Sequence, residues 1–267
     1  MIKTALIGGT GIYSAEILAD EKLQQVSTPY GEAEVVTGNY EGKTIAFIPR
    51  HGFKHSIPPH KINYKANIMA LKQLGVESIF ATSAVGSMYF DYKPGDFILS
   101  DQFIDFTRQR ETSFYNGEKG AVIHCDMTWP YCPELRESVM EAGRELDVAL
   151  NNGGVYVCTD GPRFETAAEI AMFKFLGGQL VGMTSVPEVC LARELGICYA
   201  SLCVVTNYAA GITAHALNHH ELFDIMTQKT MILRQLLQAA IKHIPTNKKC
   251  SCNSILAEKE VSHWLPQ

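Results

Sequence analysis

The sequence predicts an α/β fold: a single domain with a central twisted sheet, mixed but largely parallel, flanked by helices. Three observations carry this. Short apolar and β-branched runs, such as residues 4–7, 44–49 and 197–205, have the near-continuous hydrophobicity of strands buried on both faces. Stretches with helical spacing separate many of them, and strands alternating with helices favour parallel pairing. A chain of 267 residues, 46% of them hydrophobic, supplies the core of one such domain.

Residues 4–7 form the first strand. Gly8-Gly9-Thr10-Gly11 follows as a turn whose backbone N–H groups can approach an anion. The dinucleotide fingerprint G-x-G-x-x-G fails there, because Ser14 stands where its third glycine is required; this argues against a nicotinamide-dependent oxidoreductase. The strand at 44–49 runs into Arg50-His51, with His55 and His60 close behind, and an arginine fork beside a histidine suits phosphate. Residues 63–74 read as a helix, with Ala66, Met69, Ala70 and Leu74 on one face and Gly75 as its stop. A third strand, 76–82, ends in the small-residue turn Ser83-Ala84-Val85-Gly86-Ser87.

Short strands are expected at 97–100 and 103–106. The 4-3-4 spacing of Leu135, Val139, Ala142 and Leu146 marks an amphipathic helix. A strand at 154–159 leads into Gly161-Pro162-Arg163-Phe164-Glu165, and Thr166 with Glu169 forms a capping box for the next helix. The strand at 180–183 ends at Thr184, and Pro187 starts another helix. The strand at 197–205 releases its chain at Thr206-Asn207, and 222–241 is a long final helix. The polar stretch from Thr246 reads as a mobile tail, so the domain is assigned to 1–245 and the tail to 246–267.

Several strand ends thus carry polar or small residues, and open α/β sheets bind ligands beyond the carboxyl ends of their strands. Asn207 sits at such an end with an amide that both donates and accepts. Taken singly, it reads equally as a cap or turn residue, and Glu165 on its own reads rather as a first-turn carboxylate complementing a helix dipole.

The net charge of −5 leaves no electrostatic footprint for nucleic acid, and no apolar run approaches a membrane span. The N-terminal MIKTALIGG is broken by glycine too soon for a signal peptide, so a cytoplasmic location is expected. Cys125, Cys132, Cys158, Cys190, Cys198, Cys203, Cys250 and Cys252 are scattered, mostly in apolar surroundings that suit small core residues. No C-x-x-C pair or Cys/His cluster has zinc spacing, and no metal site is expected.

The segments IGGTGIY, PRHGFKHSIPPHKINYKANIMALK, TSAVGS, DQFID, GPRFE, GMTSVPEVCLA and ICYAS, spanning residues 4–201, together resemble the purine nucleoside phosphorylase family, specifically its methylthioadenosine phosphorylase branch. The resemblance implies a nucleoside phosphorylase-like fold and the reversible attack of inorganic phosphate on C1′ of a purine nucleoside. It implies phosphate contacts at Thr10, Arg50, His51, Ser83, Ala84 and Thr184, and substrate contacts at Met183, Phe164, Glu165, Asn207, Tyr208 and Ala209, with Asn207, Glu165 and Arg50 central to catalysis. His55 and His124 match positions near an active site shared between subunits of a homotrimer or a pair of trimers. Phosphate is a co-substrate, and no cofactor or metal is implied.

The chain departs from the methylthioadenosine branch where the base is read. That branch has serine after GPRF and aspartate at the position of Asn207; here the segments are GPRFE and TNYAAG, like phosphorylases of hypoxanthine and guanine nucleosides. The expected activity is phosphorolysis of 6-oxopurine nucleosides, with phosphorylases of methylthioinosine or methylthioadenosine as alternatives, and a nucleoside-binding module without turnover as a further one. At the 5′ end of the sugar the resemblance places His219, with His220 adjacent, where a hydroxyl would be bound. Cys250-Ser251-Cys252 resembles a pair that forms a disulfide in some archaeal methylthioadenosine phosphorylases; two free thiols are the alternative.

Overall fold

A computed structural model describes residues 2–12, 18–115, 117, 122–214 and 219–257, and for 219, 220 and 255–257 the backbone alone. Eleven strands form one mixed sheet among the described residues. Its axis is β5 (Ser78–Ser87), parallel to β1 (Thr4–Gly8) on one edge and to β11 (Cys198–Tyr208) on the other. Beyond β1 lies β4 (Lys43–Pro49) in parallel, followed by the antiparallel ribbon β3 (Gly31–Tyr40) and β2 (Ala19–Thr28). Beyond β11 lie β6 (Phe97–Leu99) and β8 (Leu150–Asn152). β10 (Leu180–Gly182) pairs antiparallel with the last residues of β5 and carries β9 (Val155–Cys158) and β7 (Gln102–Asp105) in parallel.

Side chains alternate between the faces of a strand, and both faces are covered. Ala5, Ile7, Ile79, Ala81, Cys203 and Val205 share one core with α1 (Tyr64–Gln73) and α4 (Ser185–Glu194). Leu6, Phe80, Leu202 and Val204 face the opposite core with α2 (Pro133–Glu145) and α5 (His219–Lys242). α3 (Ala167–Phe175) starts with the capping box expected at Thr166 and Glu169.

Two features differ from the sequence reading. The β2–β3 ribbon was not anticipated: β2 is ADEKLQQVST, mostly exposed, and lacks the apolar run of a core strand. The segment 83–87 is not a turn but the second half of β5. It stays extended because β11 pairs with it through Tyr208, with a bulge between Val205 and Asn207. No described helix is long and apolar enough to cross a membrane.

Candidate active site

The topology opens a gap beside the middle of β5. Along one edge, β1 pairs with residues 78–81 and leaves at Gly8. From the other end β10 pairs at Ser87 and Gly86 and leaves at Gly182. The two chain exits, Gly9-Thr10 and Met183-Thr184, converge on Thr82–Val85 from opposite directions. Gly9 N donates to Thr82 Oγ1 at 2.9 Å, and Ser83 Oγ and Thr184 Oγ1 lie 3.3 Å apart. β4 ends at Pro49 on the same side, delivering Arg50 and His51. The gap holds a cavity of about 480 Å³.

Glycine at position 9 permits this approach. A Cβ there would stand 2.5 Å from Thr82 O and 2.9 Å from Arg50 Nη1, well inside contact distance. Gly161 has φ +62, in the left-handed region, and a Cβ on it would collide with the Met183 sulfur.

Arg50 is 1% exposed. Its Nε and Nη2 donate to the two oxygens of Glu188 at 2.8 and 2.7 Å, and its Nη1 donates to Thr82 O at 2.7 Å. Tyr199 O–H donates to Glu188 Oε1 at 2.6 Å. A bidentate carboxylate and a carbonyl thus use three of the five guanidinium N–H groups and lock the plane of the fork. His51 is neutral at physiological pH: burial first, then the charge of Arg50, hold its pKa down to about 4. The His51 Nδ1 lies 2.8 Å from Ile57 O, which only accepts, so Nδ1 carries the proton and Nε2 has a lone pair.

At the other end of the cavity Asn207 Nδ2 donates to Tyr208 O at 2.9 Å, and Thr206 Oγ1 lies 2.8 Å from Asn207 Oδ1. The reverse amide orientation would set two acceptors against each other, so Tyr208 O fixes which way the amide points. One N–H and one oxygen lone pair of Asn207 remain for a ligand. Glu165 accepts from Thr159 Oγ1 at 2.7 Å, and burial raises its pKa above the usual carboxylate value.

The sequence pattern of the phosphorylase superfamily matches residues 3–242. The chain belongs to the phosphorylase superfamily. A probable 6-oxopurine nucleoside phosphorylase of Dictyoglomus turgidum is 52% identical over 96% of this chain and 97% of its own. A probable S-methyl-5'-thioinosine phosphorylase of Methanothermobacter thermautotrophicus is 48% identical over 97% and 90%. The solved structure of methylthioadenosine phosphorylase from Schistosoma mansoni with adenine superposes with a TM-score of 0.90 at 31% identity, covering 100% of this chain and 99% of that one.

In this phosphorylase the cavity brings together Thr10, Arg50, His51, Ser83, Ala84, Thr184, Met183, Phe164, Glu165, Asn207 and Ala209, with His55 at its exposed side. Tyr208 does not line it. Alternation along β11 turns Tyr208 away from the face of Asn207 and Ala209, and its ring packs against Phe90, centroids 5.3 Å apart. His124 is exposed and lines no part of the cavity. The side chains of His219 and His220 lie outside the described residues.

Sequence reasoning missed the groups that hold this phosphorylase site in place. Glu188 and Tyr199 orient Arg50. Arg110, 5% exposed at its side chain, donates through Nη1 to Met183 O at 2.8 Å and Val186 O at 2.6 Å. Its Nη2 reaches Asp160 O at 2.9 Å and Thr159 O at 3.2 Å. It ties the exits of β9 and β10 together, and with them Met183 and the threonine that holds Glu165. The only local sign of Glu188 is a charged residue in the otherwise apolar SVPEVCLA.

Proposed function

We propose that this enzyme catalyses reversible phosphorolysis of 6-oxopurine nucleosides such as inosine and guanosine, releasing the base and ribose 1-phosphate. One observation carries the base assignment: Glu165 and an orientation-fixed Asn207 line one cavity. A 6-oxopurine presents an N1–H donor and an O6 acceptor. Ionised Glu165 accepts from N1–H. The second N–H of Asn207 donates to O6, and its Oδ1 accepts from N7–H as the base leaves. The Dictyoglomus turgidum relative, a probable 6-oxopurine nucleoside phosphorylase, supports the same base class.

Phosphate is the co-substrate, held by Thr10, Arg50, His51, Ser83, Ala84 and Thr184. A phosphate oxygen attacks C1′, the C1′–N9 bond breaks, and its electrons pass into the purine, which gains a proton at N7. Hydrogen phosphate loses one proton on becoming the sugar ester, so the reaction balances. The His51 Nε2 lone pair accepts from the P–OH group, while Arg50 supplies a preorganised positive charge. Met183 lies against the sugar, with Phe164 and Ala209 beside the base. The scheme works by positioning and electrostatics, with no protein nucleophile and no cofactor. Its catalytic unit is residues 1–245, consistent with the superfamily match to 3–242. A homotrimer or pair of trimers covers the exposed rim at His55.

A second reading keeps the base and changes the sugar. Leu222 and Phe223 of α5 line the cavity and offer apolar surface to a methylthio group, and the Methanothermobacter relative is named for S-methyl-5'-thioinosine. Initial rates with inosine and with methylthioinosine, with and without phosphate, test both. The primary reading expects inosine cleavage that requires phosphate and yields equal base and ribose 1-phosphate. Phosphate-independent cleavage, or none, contradicts it; a strong preference for methylthioinosine selects the second reading.

The protonation state of Glu165 makes a further expectation. Its ionised form accepts from N1–H in a charge-assisted bond that the protonated carboxyl makes only weakly, and its raised pKa means that the ionised form is lost earlier as pH falls. A pH profile of kcat/KM for inosine should show an acid limb above the ordinary carboxylate range, and Glu165→Gln should lack it. An acid limb that persists in Glu165→Gln would assign that ionisation elsewhere.

A further inference from the structure

Four of the eight cysteines, distant in sequence, meet outside the catalytic cavity. The sulfurs of Cys132, Cys198, Cys250 and Cys252 all lie within 4.8 Å of one another, with Cys198 and Cys250 3.5 Å apart. Cys132 is the N-cap of α2, Cys198 opens β11, and Cys250 and Cys252 lie in the C-terminal segment, where residues Ser251–Ala257 form a 3₁₀ turn. Cys132, Cys198 and Cys252 are 0%, 3% and 2% exposed, and Cys250 is half-buried. All eight cysteines are free thiols.

We propose that Cys132, Cys198, Cys250 and Cys252 form a tetrathiolate zinc site that fastens the C-terminal segment to the body of the enzyme. The dimensions fit: zinc–sulfur bonds of about 2.3 Å in a tetrahedron place sulfurs about 3.8 Å apart. Four soft thiolates and no oxygen ligand select zinc over magnesium or calcium. Zinc with four thiolates carries two negative charges, and Arg193 provides a compensating cation. Arg193 is 4% exposed, its charge acts on Cys252, and its Nε and Nη1 have no hydrogen-bond partner among the described residues.

The neighbouring chain is placed to match. Lys248 Nζ donates to Ser78 Oγ at 2.6 Å and Glu77 O at 3.2 Å, and Lys249 N donates to Glu134 Oε1 at 2.6 Å. The expected tail therefore packs on the body as far as it is described. The site also adjoins the catalytic scaffold. Tyr199, next to Cys198, donates to the Glu188 that holds Arg50, and Tyr131, next to Cys132, lies 2.5 Å from Ser185 Oγ at the start of α4. Sequence spacing did not reveal the site, because its ligands come from three separate elements and only one C-x-C pair is local.

The test uses the full chain, fully reduced and freed of metal, titrated with zinc and separately with cobalt(II). The expected result is one ion bound per chain, with thiolate-to-cobalt charge-transfer bands and the visible bands of a tetrahedral cobalt site. Zinc should raise the melting temperature by several degrees, and Cys250→Ser/Cys252→Ser should lose both the bands and the shift. Absence of cobalt or zinc binding by the reduced wild type would overturn the proposal, whatever the variant does. So would two disulfides among these cysteines that persist in protein purified under reducing conditions.

Discussion

Arg50→Ala should lower kcat/KM for phosphate by about 10²-fold or more, since a charge-assisted contact to the reacting anion is lost. It should also destabilise the fold. Arg50 and Glu188 are each about 1% exposed, and removing the guanidinium strands a buried carboxylate, a loss of about 3–5 kcal/mol. The effects separate through the double variant Arg50→Met/Glu188→Leu. Replacing a whole buried pair by apolar residues avoids the stranded charge, though the Tyr199 hydroxyl and Thr82 O lose their partners, so this variant should recover much of the stability that Arg50→Ala loses yet remain inactive. Near wild-type phosphate kinetics in a folded Arg50→Ala protein would remove Arg50 from the phosphate site.

Asn207→Asp should lower kcat/KM for inosine by about 10³-fold or more, the scale on which sites built around a hydrogen bond reject a mismatched group. An ionised carboxylate has no donor for O6 and meets it acceptor to acceptor. It also faces Tyr208 O, now 2.9 Å from Nδ2, and loses the contact that orients the amide. Adenosine, whose 6-amino group donates, should gain relative to inosine. Kinetics on both nucleosides check this, and an unchanged ratio would mean that Asn207 does not read position 6.

What the sequence showed of this site, and what it hid, follows from physical range. Strand ends are local signals: an apolar run breaking at Gly9, Arg50 or Asn207 is visible in a short window, and so was the capping box of Thr166 and Glu169. The convergence of β1 and β10 on β5 was hidden, because β10 is antiparallel there and nothing in its three residues says so. Arg50 and Glu188 are 138 positions apart, and no periodicity links them. Arg110 sits in the unpatterned stretch TRQRETS, and its role rests on carbonyls that every residue carries. The β2–β3 ribbon stayed hidden for the opposite reason, since a solvated strand lacks the hydrophobic run that marks a buried one.

The central claim is that Glu165 and Asn207 read a 6-oxopurine in a phosphate-dependent site. The most direct measurement is the ratio of kcat/KM for inosine to that for adenosine in the wild-type enzyme at saturating phosphate. With Glu165 ionised and the amide held by Tyr208 and Thr206, the ratio should exceed about 10² in favour of inosine. Adenosine cleaved as well as inosine would contradict the account.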